Sequence, residues 1–458
     1  MTDRRDFLRW TALAVAASAV PAYANLDRPT AAATGLKVLV IGAGMAGLAA
    51  ARDLRQRGHD VLVIEGSDRI GGRIHTSHAW PDVAIDLGAS WIHGMNGNPI
   101  TTLAKDAGAR LATTSYDSYS VFDTNGRRLS PAAEQRLDAM NKRIAKILVK
   151  AQGAQRDQSV QSAVRRGLDW ANLSTGDRRL ASFILTSEIE MEYSGAAADT
   201  STYWFDSDAV FRGEDAVFLD GYSVVIDALA QGLSVSTGEP VSRVAMTGDG
   251  VLVTTSSRTY SGDCVVVTLP LGVLKTGSVE FAPGLPAPKR QAIAALQMGV
   301  LDKLFLRFPR VFWDPGKDWI EYIPKAGAGW AEWVSLARPT GQPILLGFTA
   351  ADFAREKEML TDAQIVASAM ATLRRMYGPA IPSPTAHQIT RWAGDPFSLG
   401  SYSFNALGSD PLMRETLAAP IDARVFIAGE ATERRYFGTV HGAYMSGIRA
   451  AREVTAAR

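Results

Sequence analysis

Behind Lys37, residues 37–41 are a short apolar run with no polar alternation, which predicts a strand buried on both faces. The chain turns at Gly42, Gly44 and Gly47. Over residues 48–57 the apolar positions change to helical spacing, with Leu48, Ala51 and Leu54 on one stripe and Gly58 placed as a helix end favours. Residues 60–65 predict a second strand, completing a β-α-β unit. Further on, Asn125-Gly126 inside residues 119–129 predicts a hairpin. Residues 131–192 are mostly helical in pattern, and residues 222–232 predict another helix. Residues 235–269 hold several β-rich runs, one turning at Gly248-Asp249-Gly250. Residues 285–405 mix strands and helices and carry Trp313, Trp319, Trp330, Trp333 and Trp392. Residues 424–450 predict a strand, a loop and a helix. There is no internal repeat.

The remaining apolar strip, residues 11–20, is Ala-rich and shorter than the roughly 20 residues that span a bilayer. It follows Arg4-Arg5-Asp6-Phe7-Leu8 and precedes Ala22-Tyr23-Ala24, a small-x-small cleavage pattern, so residues 1–24 read as a signal peptide. The twin arginine resembles a Tat signal, with Asp3 where Ser or Thr is usual. This implies the Tat export machinery as a partner, a mature chain starting near Asn25, and a periplasmic or secreted protein with no stable membrane span after processing. Residues 25–35 read as a linker.

With 458 residues the chain has room for two domains, and its 47% apolar and 21% charged residues are those of a soluble globular protein. A net charge of +1 gives no reason to expect nucleic acid or an anionic membrane as partner. The single cysteine, Cys264, excludes an internal disulfide, and the six scattered histidines lack ligand spacing, so no metal site is expected.

Gly42-x-Gly44-x-x-Gly47 lies between a strand and a helix, and Glu65 ends the next strand. That context identifies a dinucleotide site: the glycines admit a pyrophosphate to the helix N-terminus, and Glu65 accepts from ribose hydroxyls. The continuation Asp68-Arg69-Ile70-Gly71-Gly72-Arg73 adds backbone and a cation for phosphate.

These residues, with the stretch from Asp86 through Gly88-Ala89-Ser90-Trp91 to His93-Gly94, with Thr268-Leu269-Pro270-Leu271-Gly272 and with Phe426-Ile427-Ala428-Gly429-Glu430 followed by Gly438-Thr439-Val440-His441-Gly442, resemble the flavin-containing amine oxidases. The stretch around Ser90-Trp91 is most similar to their polyamine oxidase branch. The resemblance implies an α/β fold: a discontinuous Rossmann-like FAD-binding domain (residues 36–110, 222–283 and 400–458) and an α+β substrate-binding domain, a mixed sheet flanked by helices (residues 111–221 and 284–399). It implies FAD held by Gly42, Gly44, Met45, Ala46, Gly47, Glu65, Gly72, Arg73, Gly88, Ala89, Ser90, Trp91, Val241, Glu430, Thr439 and Val440. Ser67 stands where the family usually has arginine, which loosens the adenosine end. No cysteine lies near the C-terminal motif, so the flavin is expected to be non-covalent.

Lys303 enters an otherwise apolar strand, an expensive place for an ammonium. In the family that resemblance points to, the matching lysine reaches the flavin N5 through a water, which makes Lys303 the expected catalytic residue. Trp392 and Tyr402 are candidate aromatic walls of a substrate site. Glu188 and Glu192, which share a face if the segment is α-helical, are candidate partners of a distal ammonium, with Glu190 pointing away; a solvated acidic face is the competing explanation. His93 is a further substrate-side candidate. The implied activity is hydride transfer from the carbon next to an amine nitrogen, with O2 reduced to H2O2 and the imine hydrolysed, polyamines first among substrates. An oxidase of monoamines or L-amino acids stays open, as does a flavin-binding dehydrogenase or a non-catalytic flavoprotein.

Overall fold

The computed structural model describes residues 35–325 and 329–457. The leader and almost all of the linker lie outside the described residues, and so does the twin-arginine signal read there.

The centre is a five-stranded, wholly parallel sheet in the order 425–427, 264–267, 37–41, 60–64, 234–236. Its strands are the Val/Ile-rich runs of the sequence, and Val38, Leu39 and Val40 are fully buried, as a strand covered on both faces requires. Widely separated stretches of chain therefore build one sheet, as the discontinuous α/β reading expects. On one face lie the helices Met45–Gln56 and Val440–Ala456, packed so closely that a Cβ on Gly447 would come 2.2 Å from the Ala46 carbonyl oxygen. On the other face a four-stranded sheet, order 259–262, 251–255, 241–246, 280–282, packs through Val244 and Val253 onto Leu39, Ile41, Val265 and Val267. Its hairpin turns at Gly248-Asp249-Gly250, as the sequence indicates.

A second, six-stranded sheet has the order 386–389, 301–307, 344–350, 332–335, 319–322, 119–122 and is antiparallel except for its last pair. The period of two along Leu301–Arg307 decides what each side chain meets. Leu304 and Leu306 face the helix Asp362–Tyr377, packing with Ile365, Ala369 and Leu373. Phe305 faces the opposite way, with Trp319, Phe348 and Met191. The helices Pro131–Gln152, Val160–Gly167 and Thr175–Leu185 build a third core together with Val121, Ile323, Phe404 and Phe437. Strand 215–218 pairs on one side with 91–92 and on the other with 111–114, in a small sheet against the Rossmann-like layer.

Two local differences from the sequence reading matter for the site. The helical run ending near residue 192 is interrupted by a π-helical turn, Thr186–Glu190, before Met191–Tyr193. The loop before the last helix contains a short 3-10 turn, Glu430–Thr432. No helix among the described residues is long and apolar enough to cross a membrane.

Candidate active site

One cavity of about 550 Å³ runs between the parallel sheet and the six-stranded sheet. At one end the first strand delivers the glycine turn. Gly42 has φ +101°, and a Cβ on Gly47 would sit 1.9 Å from the Gly42 carbonyl oxygen, so side chains are excluded for backbone reasons. Gly47 itself does not line the cavity; its role is to let the helix start this close. The helix Met45–Gln56 begins at Gly44 without a side-chain cap, which leaves its N-terminal end ready for an anion, with Gly44, Met45 and Ala46 on the cavity wall. Buried Glu65 is fixed by two amides: Ala43 N–H donates to it at 2.6 Å and Ser67 N–H at 2.8 Å. Its carboxylate keeps further lone-pair directions for a ribose. Gly72, Gly88, Ala89, Ser90 and Val241 also line this cradle.

Glu430 is the most densely held carboxylate of the site. It accepts from Arg73 (2.9 Å), from the Ser403 hydroxyl (2.6 Å) and from Gly438 N–H (2.9 Å). Burial works to raise its carboxyl, but the Arg73 and Arg414 charges and the Ser403 bond outweigh that and hold it below the usual carboxylate range. Arg73 also donates to the Ser401 carbonyl, so it ties two ends of the chain together. Thr439 caps the last helix, accepting from Gly442 N–H at 3.0 Å, and directs the N-terminus of Val440–Ala456 at the cavity. Beside it His441 is buried and pushed down to about 3, by burial first and His93 second, so its imidazole is neutral.

Lys303 leaves the six-stranded sheet on the cavity face. The residue is 6% exposed, and its ammonium donates to the Asp86 carbonyl (3.1 Å), the Gly88 carbonyl and the Ser90 hydroxyl, and lies 5.5 Å from the centre of the Trp91 ring. Burial pulls it below the usual lysine range, opposed by the Asp86 charge. Burial likewise raises the Asp86 carboxyl, against bonds from Thr76 and Tyr222 N–H and the Lys303 charge. The Lys303 nitrogen is thus closer to giving up its proton near neutral pH than an exposed lysine is.

Around this nitrogen the cavity is aromatic. Trp91 stacks on Trp319 with ring centres 6.2 Å apart, Tyr116 stacks on Trp319 at 4.7 Å, and Phe348 closes the group. Trp392 lines the wall and donates to the Leu87 carbonyl at 3.3 Å; Tyr402 lines it too, its hydroxyl donating to the Met191 and Glu192 carbonyls at 3.1 Å. His93 reaches the cavity from a half-exposed position, paired with buried Asp215 at 3.2 Å.

Of the two acidic candidates, Glu192 lines the cavity and Glu188 does not. The reason is the π-helical turn: one extra residue per turn puts Ser187, not Glu188, on the face of Glu192. Glu190 is tied internally to Thr186 and to Ala197 N–H. Two further carboxylates that the sequence reading did not single out line the same region. Glu332 is 3% exposed and accepts from the Ser187 hydroxyl; Asp208 is raised to about 8, by burial and then by the Glu192 charge. The lone acid in Trp330-Ala331-Glu332-Trp333-Val334 is the same signal that marks Lys303, a charge inside an apolar strand. Tyr116, Trp319 and Phe348 carried no such mark. Among the described residues the arginines lining the cavity are Arg69 and Arg73, and Arg73 is held by Glu430.

Comparison with known proteins agrees with this arrangement. Residues 45–455 match the family described as flavin containing amine oxidoreductase. The chain is 35% identical to Polyamine oxidase 4 of Oryza sativa subsp. japonica over 91% of this chain and 88% of that protein. It is 32% identical to Polyamine oxidase 2 of Arabidopsis thaliana, over 91% and 87%. It is also 36% identical to Lysine-specific histone demethylase 1 homolog 1 of Oryza sativa subsp. japonica, covering 92% of this chain but 52% of that longer protein.

Proposed function

The chain belongs to the flavin-containing amine oxidoreductases, and from that premise we propose that its substrates are polyamines. It is an FAD-dependent amine oxidase. Bound FAD would supply the acceptor for a hydride from the carbon next to the amine nitrogen and the route for its electrons to O2, giving H2O2 and an imine that water hydrolyses. The glycine turn, Glu65 and the N-terminus of Met45–Gln56 fit its pyrophosphate and ribose, while Arg73, Glu430 and the N-terminus at Thr439–Val440 fit the part nearer the reaction. The attachment is non-covalent: Cys264 is buried in the parallel sheet and is not a cavity residue.

The reading of the substrate rests on one observation. The chamber at Lys303 combines aromatic faces with the carboxylates Glu192, Asp208 and Glu332, and among the described residues no arginine lines that end. Aromatic faces and carboxylates suit a chain with several ammonium groups; an amino-acid carboxylate would call for an arginine fork. Lys303 holds its proton at Nζ among carbonyls and one hydroxyl, and the reacting amine must be neutral, so the rate rises with pH through the bound amine's pKa. The expected result of a substrate panel is a kcat/KM for spermidine at least ~10-fold above putrescine and every L-amino acid, from steady-state peroxide release. Preference for an L-amino acid would overturn this reading.

Export by the Tat route is part of the same proposal, supported by Arg4-Arg5, the apolar strip and Ala22-Tyr23-Ala24. Loading of FAD in the cytoplasm would require crossing the membrane folded. Replacing both arginines by lysine should hold the protein in the cytoplasm; unchanged appearance outside it on cell fractionation would contradict Tat export.

A further inference from the structure

Alternation along Leu301–Arg307 sends Lys303 to the cavity and its neighbour Asp302, a residue 5% exposed, to the opposite face. There one oxygen of Asp302, Oδ1, accepts from the Thr390 hydroxyl (2.7 Å) and from Trp392 N–H (3.0 Å). The other, Oδ2, is buried and reached by no N–H or hydroxyl donor. Another acid, Glu358 at the end of the helix Ala351–Glu358, lies against the Asp302 carboxyl. Two carboxyl groups in hydrogen-bond contact need a proton between them. Glu358 in turn accepts from Ala393 N–H (2.7 Å) and Gly394 N–H (3.0 Å). The pair thus gathers the backbone amides of Trp392, Ala393 and Gly394. Thr390 links it to the reaction side, since its hydroxyl accepts from Lys303 N–H at 2.8 Å and its own N–H donates to the Lys303 carbonyl at 3.0 Å.

We propose that Asp302 and Glu358 share one proton, and that this bridged pair is a positioning device holding residues 390–394, with the Trp392 wall, against the strand that carries Lys303. The kinetic consequence rests on Trp392 being a wall of the substrate site; the shared proton does not.

The cations around the pair are otherwise engaged. On the helix Ala351–Glu358, Arg355 donates to the Met298 carbonyl and Lys357 lies over the Phe353 ring. Beyond the neighbouring strand end, His387 and Arg391 pair with Asp362. Lys303 points to the other face of the sheet, and the strand Ile344–Ala350 places Thr349 opposite Asp302 and has no ionisable side chain. Burial first, then the bond and charge of Glu358, raise the Asp302 carboxyl well above the usual carboxylate range. The unfolded chain ionises at its ordinary value near ~4. Between the two values the folded state binds more protons than the unfolded, so stability falls as pH rises through that window. Above it the proton leaves, two carboxylates face each other, and the Trp392 segment loosens.

Asp302→Asn keeps the Oδ1 acceptor and supplies a permanent amide donor toward Glu358. Asp302→Ala removes both. The experiment measures melting temperature of the FAD-loaded variants from about pH 5 to about pH 9, and KM and kcat for spermidine over the same range. Relative to wild type, Asp302→Asn should gain a few °C at the alkaline end and little at the acid end. Wild-type KM should rise several-fold with pH where that of Asp302→Asn does not, with kcat alike within about twofold. Asp302→Ala should raise KM by ~10-fold or more at every pH. A melting difference between Asp302→Asn and wild type that does not vary with pH overturns the shared proton. A pH-dependent melting difference with pH-independent KM values overturns the positioning role, and with it the reading of Trp392 as a wall.

Discussion

Lys303→Met is expected to slow the enzyme's reaction with amine, with O2 or with both by about two to four orders of magnitude, the range for losing a positioned proton donor or acceptor, while FAD stays bound. Methionine preserves length and apolar volume, so the strand and its Phe305 and Leu304 packing should survive. What goes is the ammonium on this wall, and three acceptors lose their donor: the Asp86 and Gly88 carbonyls and the Ser90 hydroxyl. Those three belong to the stretch that runs to Trp91, so part of the effect will be positional. Lys303→Arg separates the two contributions: it restores the charge and donors but cannot release its proton near neutral pH. Rapid-mixing absorbance resolves the two half-reactions, and the flavin spectrum after gel filtration reports occupancy. Wild-type rates in both half-reactions with a full complement of FAD would remove Lys303 from the chemistry.

Glu430→Ala is expected to lose the cofactor. The residue is 4% exposed; its carboxylate is bonded to Arg73, Ser403 and Gly438, and faces the fully buried Arg414, whose guanidinium also stacks 4.1 Å from the Phe437 ring centre. Deleting one partner of a buried ionic network leaves the others uncompensated, at a cost of about 3–5 kcal/mol. Expressed through binding, about 3 kcal/mol is a ~100-fold weaker FAD affinity; expressed through folding, it is a melting point lower by several degrees. Glu430→Gln, which keeps shape and some hydrogen bonds, should fall between. Because the Glu430 carboxyl lies below the usual range, its tie is present at neutral pH and is lost as pH falls through the folded value, so acid should release FAD from wild type. Titration of apoprotein with FAD, followed by flavin fluorescence, measures the affinity. Stoichiometric FAD at an unchanged melting temperature in Glu430→Ala would contradict this account.

The parts of the site that could be read from sequence are those where a contiguous stretch does its work locally. The glycine turn needs only a strand before it and a helix after it. Glu65 needs only to end the next strand, and Thr439 only to precede a helix. Each of these lies on the cavity wall apart from Gly47, whose contribution is close backbone packing. The chamber at Lys303 was less legible because its walls come from separate strands. Tyr116, Trp319, Phe348 and Glu332 meet only through the order of the six-stranded sheet, which no local pattern encodes. The Glu188–Glu192 pairing fails for a different reason. It assumes a regular α-helix, and the chain inserts a π-helical turn in which Glu190 accepts from Ala197 N–H, beyond the turn. That turn is stabilised by a contact the local periodicity does not contain. Asp302 shows the same limit: β alternation sends it to the face opposite Lys303, and the acid it meets there comes from a separate helix.

The most direct test of the account is anaerobic mixing of the FAD-loaded enzyme with spermidine in a rapid-mixing spectrophotometer, followed by admission of air. The account predicts loss of the oxidised flavin absorbance on mixing, at a rate that rises with pH, then its recovery in air with release of H2O2. No loss of absorbance with spermidine, putrescine or any other amine would contradict it.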